Sequence, residues 1–105
     1  SEAGAFYPYE LLLGALSACF YATLHEILLR KKLDVPKIEI VVSGEKREEV
    51  PTTLKWVNLA ITVTGSVDEK QMLRSADLAA KYCSIHETIS KVAVMSHEVK
   101  FIRLQ

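Results

Sequence analysis

Residues 8–32 read PYELLLGALSACFYATLHEILLRKK, the longest run of helix-forming residues in the chain. Pro8 suits the first turn of a helix, because its missing N–H costs no hydrogen bond there. Pro36 prevents the helix from continuing into the next segment. The sequence therefore predicts one long helix from Glu10 to Lys32.

This long helix is expected to be buried in a protein core. Its apolar run from Leu11 to Leu24 is too short to span a membrane, and polar residues stand at both of its ends. Small residues crowd the middle of the helix, namely Gly14, Ala15, Ser17, Ala18 and Ala22. We expect another backbone to approach closely there, and we expect no transmembrane segment.

Two strands are predicted after the helix. Ile38, Ile40 and Val42 occupy alternate positions, which places one apolar face against a core. The next apolar run, from Leu54 to Val63, changes phase after Trp56, and a β-bulge explains such a change. The simplest interpretation of this region is a β-hairpin.

The second half of the chain predicts two helices and a strand. Ser66 and Glu69 have the spacing of a capping box, and they open a helix whose inward stripe ends at Cys83. Ser84 and Glu87 repeat that spacing, so a new short helix is expected there. The inward stripe consists of Met72, Ala76, Ala79, Ala80 and Cys83. A final strand is expected over roughly 94–104.

This order of elements predicts an α+β fold, with an antiparallel sheet packed against two central helices. Residues 1–105 are expected to form a single domain. Three strands make a narrow sheet for two substantial helices. We therefore expect further strands, either from N-terminal strands that this chain lacks or from a second subunit, and we expect a homodimer.

Composition excludes several classes of protein. Half of the 105 residues are apolar, and 13 basic residues balance 13 acidic ones. Without a basic patch the chain is not expected to bind nucleic acid, and the scattered glycines form no phosphate-binding motif. The first residues do not have the form of a signal peptide, and two cysteines are too few for a secreted disulfide scaffold. A cytoplasmic protein is expected.

Cys19 and Cys83 are the two thiols of the chain, and both lie on inward stripes of predicted helices. Neighbouring thiols allow oxidation of one sulfur and its rescue as a disulfide, whereas a buried cysteine also serves as a small apolar residue. Cys83 precedes a predicted helix start, where backbone N–H groups favour an anion, so local sequence makes it the easier thiolate. Cys19 lies in mid-helix, so its activation needs a cation or a hydrogen-bond donor from elsewhere in the fold.

The histidines suggest a weaker alternative. Cys83 and His86 have a C-x-x-H spacing, and His25 lies on the same predicted helix as Cys19. Structural zinc sites combine two such half-motifs, and here there is one. We therefore expect no metal, with His86 in a polar contact or exposed to solvent and His97 in an ordinary hydrogen-bonded position.

Several segments carry a resemblance to a known family. Residues 8–19, PYELLLGALSAC, and residues 81–84, KYCS, resemble the cysteine motifs of the OsmC and Ohr family of thiol-dependent peroxidases. Residues 42–49, VSGEKREE, are similar to the less characterised OsmC-like branch. The resemblance spans nearly the whole chain from Pro8 onward. It implies a tightly intertwined homodimer with two central helices and wrapped sheets.

The resemblance also implies a reaction. Cys19 corresponds to the peroxidatic cysteine, which attacks an organic hydroperoxide, and Cys83 to the resolving cysteine, which closes a disulfide with it. A dithiol, such as a lipoylated protein, reopens that disulfide, and neither a metal nor a flavin is required. We expect this peroxidase activity. The alternatives are a noncatalytic OsmC-like domain that binds a small hydrophobic or thiol-bearing ligand at the dimer interface, and a structural dimer with inert cysteines.

Two supporting residues of the family are not matched. Family peroxidases place a glutamate directly after the helix proline, and this chain has Tyr9 there and Glu10 one position later. At about 100° per residue, Glu10 points away from Cys19, so Tyr9 and Glu10 are weak supporting candidates. The resemblance further implies an arginine from N-terminal strands, and no segment of this chain corresponds to those strands.

Overall fold

A computed structural model describes residues 8–103 of the chain. It contains α1 (Pro8–Arg30), β1 (Lys37–Lys46), β2 (Leu54–Thr64), α2 (Glu69–Tyr82), α3 (Ser84–Ser90) and β3 (Val94–Ile102). The predicted order of helices and strands is confirmed, and so is the α+β class. The predicted end of the last strand, at 104, lies outside the described residues.

The three strands form one sheet in the order β1-β2-β3. β1 and β2 are the predicted antiparallel hairpin, with Ile40 opposite Ile61. β2 and β3 are parallel, with Trp56 opposite Val94, so the expectation of a wholly antiparallel sheet is wrong. The reason is the connection, because α2 and α3 form a helical crossover that returns the chain to the end of the sheet where β2 began.

The predicted bulge lies at the hairpin end of β2. Glu45 faces Trp56 and Lys46 faces Leu54, which leaves Lys55 as the extra residue on β2. The extra residue lets both Leu54 and Val57 turn into the core, where each is almost fully buried. The predicted β-bulge is therefore confirmed as the cause of the change of phase after Trp56.

The core lies between the sheet and the helices. Its main members are Leu16, Phe20, Leu24 and Leu28 of α1, Val57, Leu59, Ile61 and Val63 of β2, and Met72, Ala76 and Ala79 of α2. The α1 residues recur every fourth position and so form one buried stripe along the helix. The predicted inward stripe of α2 is confirmed, with Ala80 half-buried beside it.

The opposite face of α1 is apolar as well but exposed. Leu11, Tyr21 and Leu29 are 59%, 45% and 63% exposed. Apart from the neighbours of Gly14 and the nearby backbone of α1 itself, no described atom comes within 4 Å of a Cβ built on Gly14, so residues 8–103 do not supply the close approach that was expected there. α1 is long enough and apolar enough to cross a membrane, but core helices of soluble proteins meet the same criteria of length and composition.

Both predicted capping boxes are displaced. The N-cap of α2 is Asp68, whose Oδ1 accepts the Gln71 N–H at 3.1 Å, in place of Ser66. Aspartate caps a helix as well as serine does, so spacing did not distinguish them. The N-cap of α3 is Cys83, whose Sγ accepts the His86 N–H at 3.5 Å, in place of Ser84.

Candidate functional site

The fold brings the two cysteines together. Cys19 lies in the middle of α1, Cys83 lies at the junction of α2 and α3, and their Sγ atoms are 3.1 Å apart. Both are free thiols. They are 64 positions apart in the chain, so packing of α1 against the α2–α3 junction creates the pair. At this distance the two sulfurs need only a small movement to form a disulfide.

Cys83 is the inner member of the pair and is fully buried. Its N–H donates to the Ala79 carbonyl at 2.8 Å and closes the last turn of α2. Burial raises the pKa of the Cys83 thiol to about 11, and the hydrogen bond from its S–H to the Cys19 sulfur acts in the same direction. The prediction that Cys83 is the easier thiolate is therefore wrong, because burial outweighs the help from the start of α3.

Cys19 is the outer member and remains partly exposed. Burial alone raises the pKa of Cys19, but hydrogen bonds from the Ile85 backbone, the Cys83 thiol and the Ser84 hydroxyl bring the pKa below the ordinary thiol value, with a smaller contribution from nearby Thr23. The Thr23 hydroxyl itself donates to the Cys19 carbonyl at 2.9 Å. The sequence required a donor from elsewhere in the fold, and most of these donors lie at the start of α3. Two residues in the sequence could have indicated these contacts: Ser84, which directly follows Cys83, and Thr23, which lies one helical turn beyond Cys19.

Tyr9 and Glu10 lie away from the sulfur pair. Ten residues of helix place Tyr9 about 15 Å from Cys19 along the axis. The Tyr9 hydroxyl donates to Thr53 Oγ1 at 3.3 Å, and Lys46 Nζ lies 4.8 Å from the centre of its ring. Glu10 is exposed near the same end of α1. The contacts of Tyr9 therefore hold the start of α1 against the hairpin. Of the four predicted site residues, the structure brings together Cys19 and Cys83 but not Tyr9 and Glu10.

Comparison with known proteins assigns the family. The family model described as OsmC-like protein matches residues 1–98. The chain belongs to the OsmC-like protein family. Protein YhfA of Escherichia coli strain K12 is 31% identical over 97 residues, which cover 90% of this chain and 72% of YhfA.

Solved structures of the OsmC-like family share the fold. An OsmC-like protein from Mycoplasma pneumoniae superposes with a TM-score of 0.84 at 23% identity, covering 95% of this chain and 74% of that one. The organic hydroperoxide resistance protein OhrB of Bacillus subtilis superposes with a TM-score of 0.73 at 17% identity, covering 93% and 73%. At these identities the likeness establishes the common architecture.

The histidines of this OsmC-like chain lie apart from a metal-binding arrangement. Within residues 8–103 no three His, Cys, Asp or Glu side chains are grouped to hold a metal ion. His97 Nε2 lies 2.8 Å from Asp77 Oδ1. His86 is half-buried, and its Nε2 is buried without a hydrogen-bond partner among residues 8–103, so the expected polar contact or solvent exposure is not found. Burial is the main cause that lowers the pKa of His86, and the nearby His97 adds to it, which favours the neutral imidazole. His25 is exposed and stacks on Tyr21.

A shallow groove runs beside the partly exposed thiol of this OsmC-like domain. It has a volume of about 280 Å³ and is lined by Thr23, Glu26, Ile27, Arg30 and Tyr82. Neither cysteine lines the groove, but Thr23 contacts the Cys19 carbonyl and Tyr82 directly precedes Cys83 in the chain. Ile27 and the ring of Tyr82 supply its apolar surface, and Arg30 and Glu26, which form an ion pair at 2.9 Å, supply its charged surface.

Proposed function

We propose that this protein is a thiol-dependent peroxidase that reduces organic hydroperoxides. The observation that carries the proposal is the unequal pair of sulfurs. The two atoms lie 3.1 Å apart, one partly exposed with a lowered pKa and the other buried with a pKa of about 11. A nucleophile needs to be an accessible thiolate, and a resolving cysteine needs to be within reach of it, so the two environments match the two roles.

Cys19 is the proposed nucleophile. Its thiolate attacks the distal oxygen of the hydroperoxide, the O–O bond breaks, and a proton from water converts the departing alkoxide into an alcohol. The Cys19 sulfur gains the distal oxygen with its hydrogen and becomes a sulfenic acid. The hydrogen bonds that lower the pKa of Cys19 increase the fraction of reactive thiolate at neutral pH.

Cys83 is the proposed resolving residue. Its sulfur displaces the sulfenic acid oxygen of Cys19, its proton leaves with that oxygen as water, and the Cys19–Cys83 disulfide forms. A dithiol reductant then exchanges with the disulfide, restores both thiols and becomes oxidised itself. A lipoylated protein is a reductant of this chemical class. These reaction steps need no metal and no other cofactor.

A homodimer is the proposed assembly. The exposed apolar face of α1, which includes Leu11, Gly14, Ala18, Tyr21 and Leu29, is open in one subunit. A helix that is apolar all round is expected to be covered on both sides. A second copy of the chain covers it in this proposal. The cytoplasm is the proposed location, because a reducing compartment keeps a catalytic dithiol reduced.

The proposal is tested by oxidation with one equivalent of cumene hydroperoxide, followed by intact mass and free-thiol count. The wild-type protein is expected to lose both thiols and the mass of two hydrogens within one subunit. Cys83→Ser is expected to gain an oxygen atom that is trapped on Cys19 as sulfenic acid. Cys19→Ser is expected to keep its mass and its remaining thiol.

Both variants act as controls for each other, because each retains one cysteine in a nearly unchanged fold. Two unreacted thiols in folded wild-type protein at excess hydroperoxide would refute the peroxidase. Equal oxidation of Cys83 in Cys19→Ser would refute the assignment of roles. Sedimentation of the same sample measures the oligomeric state, and a monomer would contradict the homodimer.

A noncatalytic OsmC-like domain is the second candidate, and the position of Tyr9 favours it. Family peroxidases have a glutamate at that position, whereas Tyr9 bonds to Thr53 at the hairpin. In this alternative the apolar groove beside Cys19 binds a small hydrophobic or thiol-bearing ligand at the dimer interface. Binding of such a ligand by a protein that leaves cumene hydroperoxide unreduced would select it.

A further inference from the structure

We infer that Ser84 is a positioning residue whose hydroxyl stabilises the Cys19 thiolate, a role whose bearing on catalysis rests on the proposed function. Ser84 Oγ lies 3.9 Å from Cys19 Sγ, within the range of a hydrogen bond to sulfur. The two residues are 65 positions apart in the chain, so the contact depends on the packing of α3 against α1. Ser84 is the first residue of α3, directly after the resolving Cys83.

The direction of this hydrogen bond follows from the charge on the sulfur. When Cys19 is a thiol, either atom is able to donate. When Cys19 is a thiolate, the sulfur carries no proton, so the Ser84 hydroxyl is the donor and the contact becomes charge-assisted. A contact that strengthens upon ionisation stabilises the ionised form, in agreement with the direction in which Ser84 moves the pKa of Cys19.

Ser84 is not needed to hold α3 in place. The cap of α3 is Cys83, and the first turn continues with the Glu87 N–H donating to the Cys83 carbonyl at 3.0 Å. The Ser84 carbonyl accepts from the Thr88 hydroxyl, a contact that uses the backbone and survives a change of side chain. Ser84 is also exposed. The Ser84 hydroxyl is therefore available to donate a hydrogen bond to the Cys19 sulfur. Replacement of Ser84 is expected to leave the fold intact.

The uncharged donors around Cys19 provide part of the thiolate stabilisation that a neighbouring cation provides to other reactive cysteines. The leading influences on Cys19 are burial and hydrogen bonds from uncharged donors, among which Ser84 is a side chain on the exposed side of the pair. Cys83 also donates to Cys19, but it must lose its proton when the disulfide forms. Ser84 keeps its proton throughout, so it stabilises the thiolate independently of the resolving step.

The experiment measures the rate of Cys19 alkylation by iodoacetamide against pH, with Cys19 and Cys83 resolved by peptide mass spectrometry. In Ser84→Ala the rate below the Cys19 pKa is expected to fall about threefold, because one hydrogen bond to the thiolate is lost. At high pH, where Cys19 is fully ionised, the rate is expected to equal that of the parent. Ser84→Thr keeps a hydroxyl and is expected to restore the parent curve.

Two further variants complete the test. Ser84→Asp places a carboxylate near the thiolate and is expected to slow alkylation below the pKa about tenfold. Aspartate suits the first turn of a helix, so this variant is expected to fold. Ser90→Ala removes a hydroxyl that donates to the Glu87 carbonyl at the other end of α3, and it is expected to match the parent.

Equal low-pH rates for Ser84→Ala and the parent would overturn the inference. A loss of equal size at every pH would also overturn it, since a structural defect does not depend on ionisation. Iodoacetamide reports the thiolate without any peroxide. A parent that leaves cumene hydroperoxide unreduced while Ser84→Ala shifts the alkylation curve therefore refutes the proposed function and supports the role of Ser84.

Discussion

Cys19 and Cys83 occupy two regions that differ sharply although their sulfurs are 3.1 Å apart. The middle of α1 leaves Cys19 partly exposed and surrounded by donors, which lower its pKa. The α2–α3 junction buries Cys83 completely, which raises its pKa to about 11. Burial therefore affects the two pKa values more strongly than the position of each cysteine in its helix does.

The two regions also depend on each other. The S–H of Cys83 donates to Cys19, so the thiol that resists ionisation stabilises the thiolate beside it. The same sulfur accepts the His86 N–H and caps α3, which carries Ser84 and Ile85. Each sulfur therefore contributes to the environment of the other.

The largest expected effect is the difference in reactivity between the two cysteines in one folded protein. Cys83 has a pKa of about 11 and that of Cys19 lies below the ordinary 9.0, so iodoacetamide at pH 8 is expected to alkylate Cys19 at least about a hundredfold faster. Peptide mass spectrometry over time measures both rates. In urea-unfolded protein the rates are expected to converge, and equal rates in folded protein would contradict the comparison.

The next effect is the pH dependence of cumene hydroperoxide consumption. The thiolate fraction of Cys19 rises with pH, by up to about tenfold per pH unit below its pKa. Because that pKa is lowered, the rate is expected to reach half of its maximum below pH 9.0 and then to level off. Stopped-flow kinetics of the pre-reduced protein measure this curve. A half-maximum above pH 9.0 would show that the donors around Cys19 are ineffective.

A smaller effect is expected when the donor from Cys83 is removed. In Cys83→Ala the low-pH alkylation rate of Cys19 is expected to fall about threefold to tenfold, because the thiolate loses a hydrogen bond at 3.1 Å. Cys83→Ser retains a donor and is the matched control, with a curve closer to the parent. A faster reaction in Cys83→Ala would mean that burial by Cys83 outweighs its hydrogen bond.

The smallest effect is expected at Tyr9, which lies outside the sulfur pair. Tyr9→Phe removes the hydrogen bond to Thr53 and is expected to lower the free energy of unfolding by about 0.5–1.5 kcal/mol, as measured by urea denaturation. The alkylation curve of Cys19 is expected to stay unchanged. Thr53→Val is the matched control, since it removes the same bond from the other side. A shift in the Cys19 curve would place Tyr9 in the thiol site.

Several features of the fold were predictable because they depend on local patterns. The α1 helix, the hairpin and the bulge near Trp56 follow from periodicities of 3.6 and 2 residues in side-chain burial. The inward stripe of α2 placed Cys83 in the core in the same way. The helix caps were less predictable, because Ser66 and Asp68 are both good caps within three residues of each other.

The parallel pairing of β2 with β3 was not predictable from the strands themselves. Both strands have the alternation of a half-buried sheet, which is compatible with either direction. The direction follows from the crossover through α2 and α3, which is a property of the chain path. The position of the donors around Cys19 has the same origin, because the chain path through α2 and α3 brings the start of α3 against α1.

The order of the elements, the apolar stripes and the two cysteine motifs that resemble those of the OsmC-like family could all be read from the amino-acid sequence. These properties depend on residues that are close in the chain. Which sulfur ionises more easily depends on tertiary packing, because burial of Cys83 and the donors around Cys19 come from segments far apart in the chain. An ionisation equilibrium responds to the full three-dimensional environment of the atom, and that environment exists only after folding.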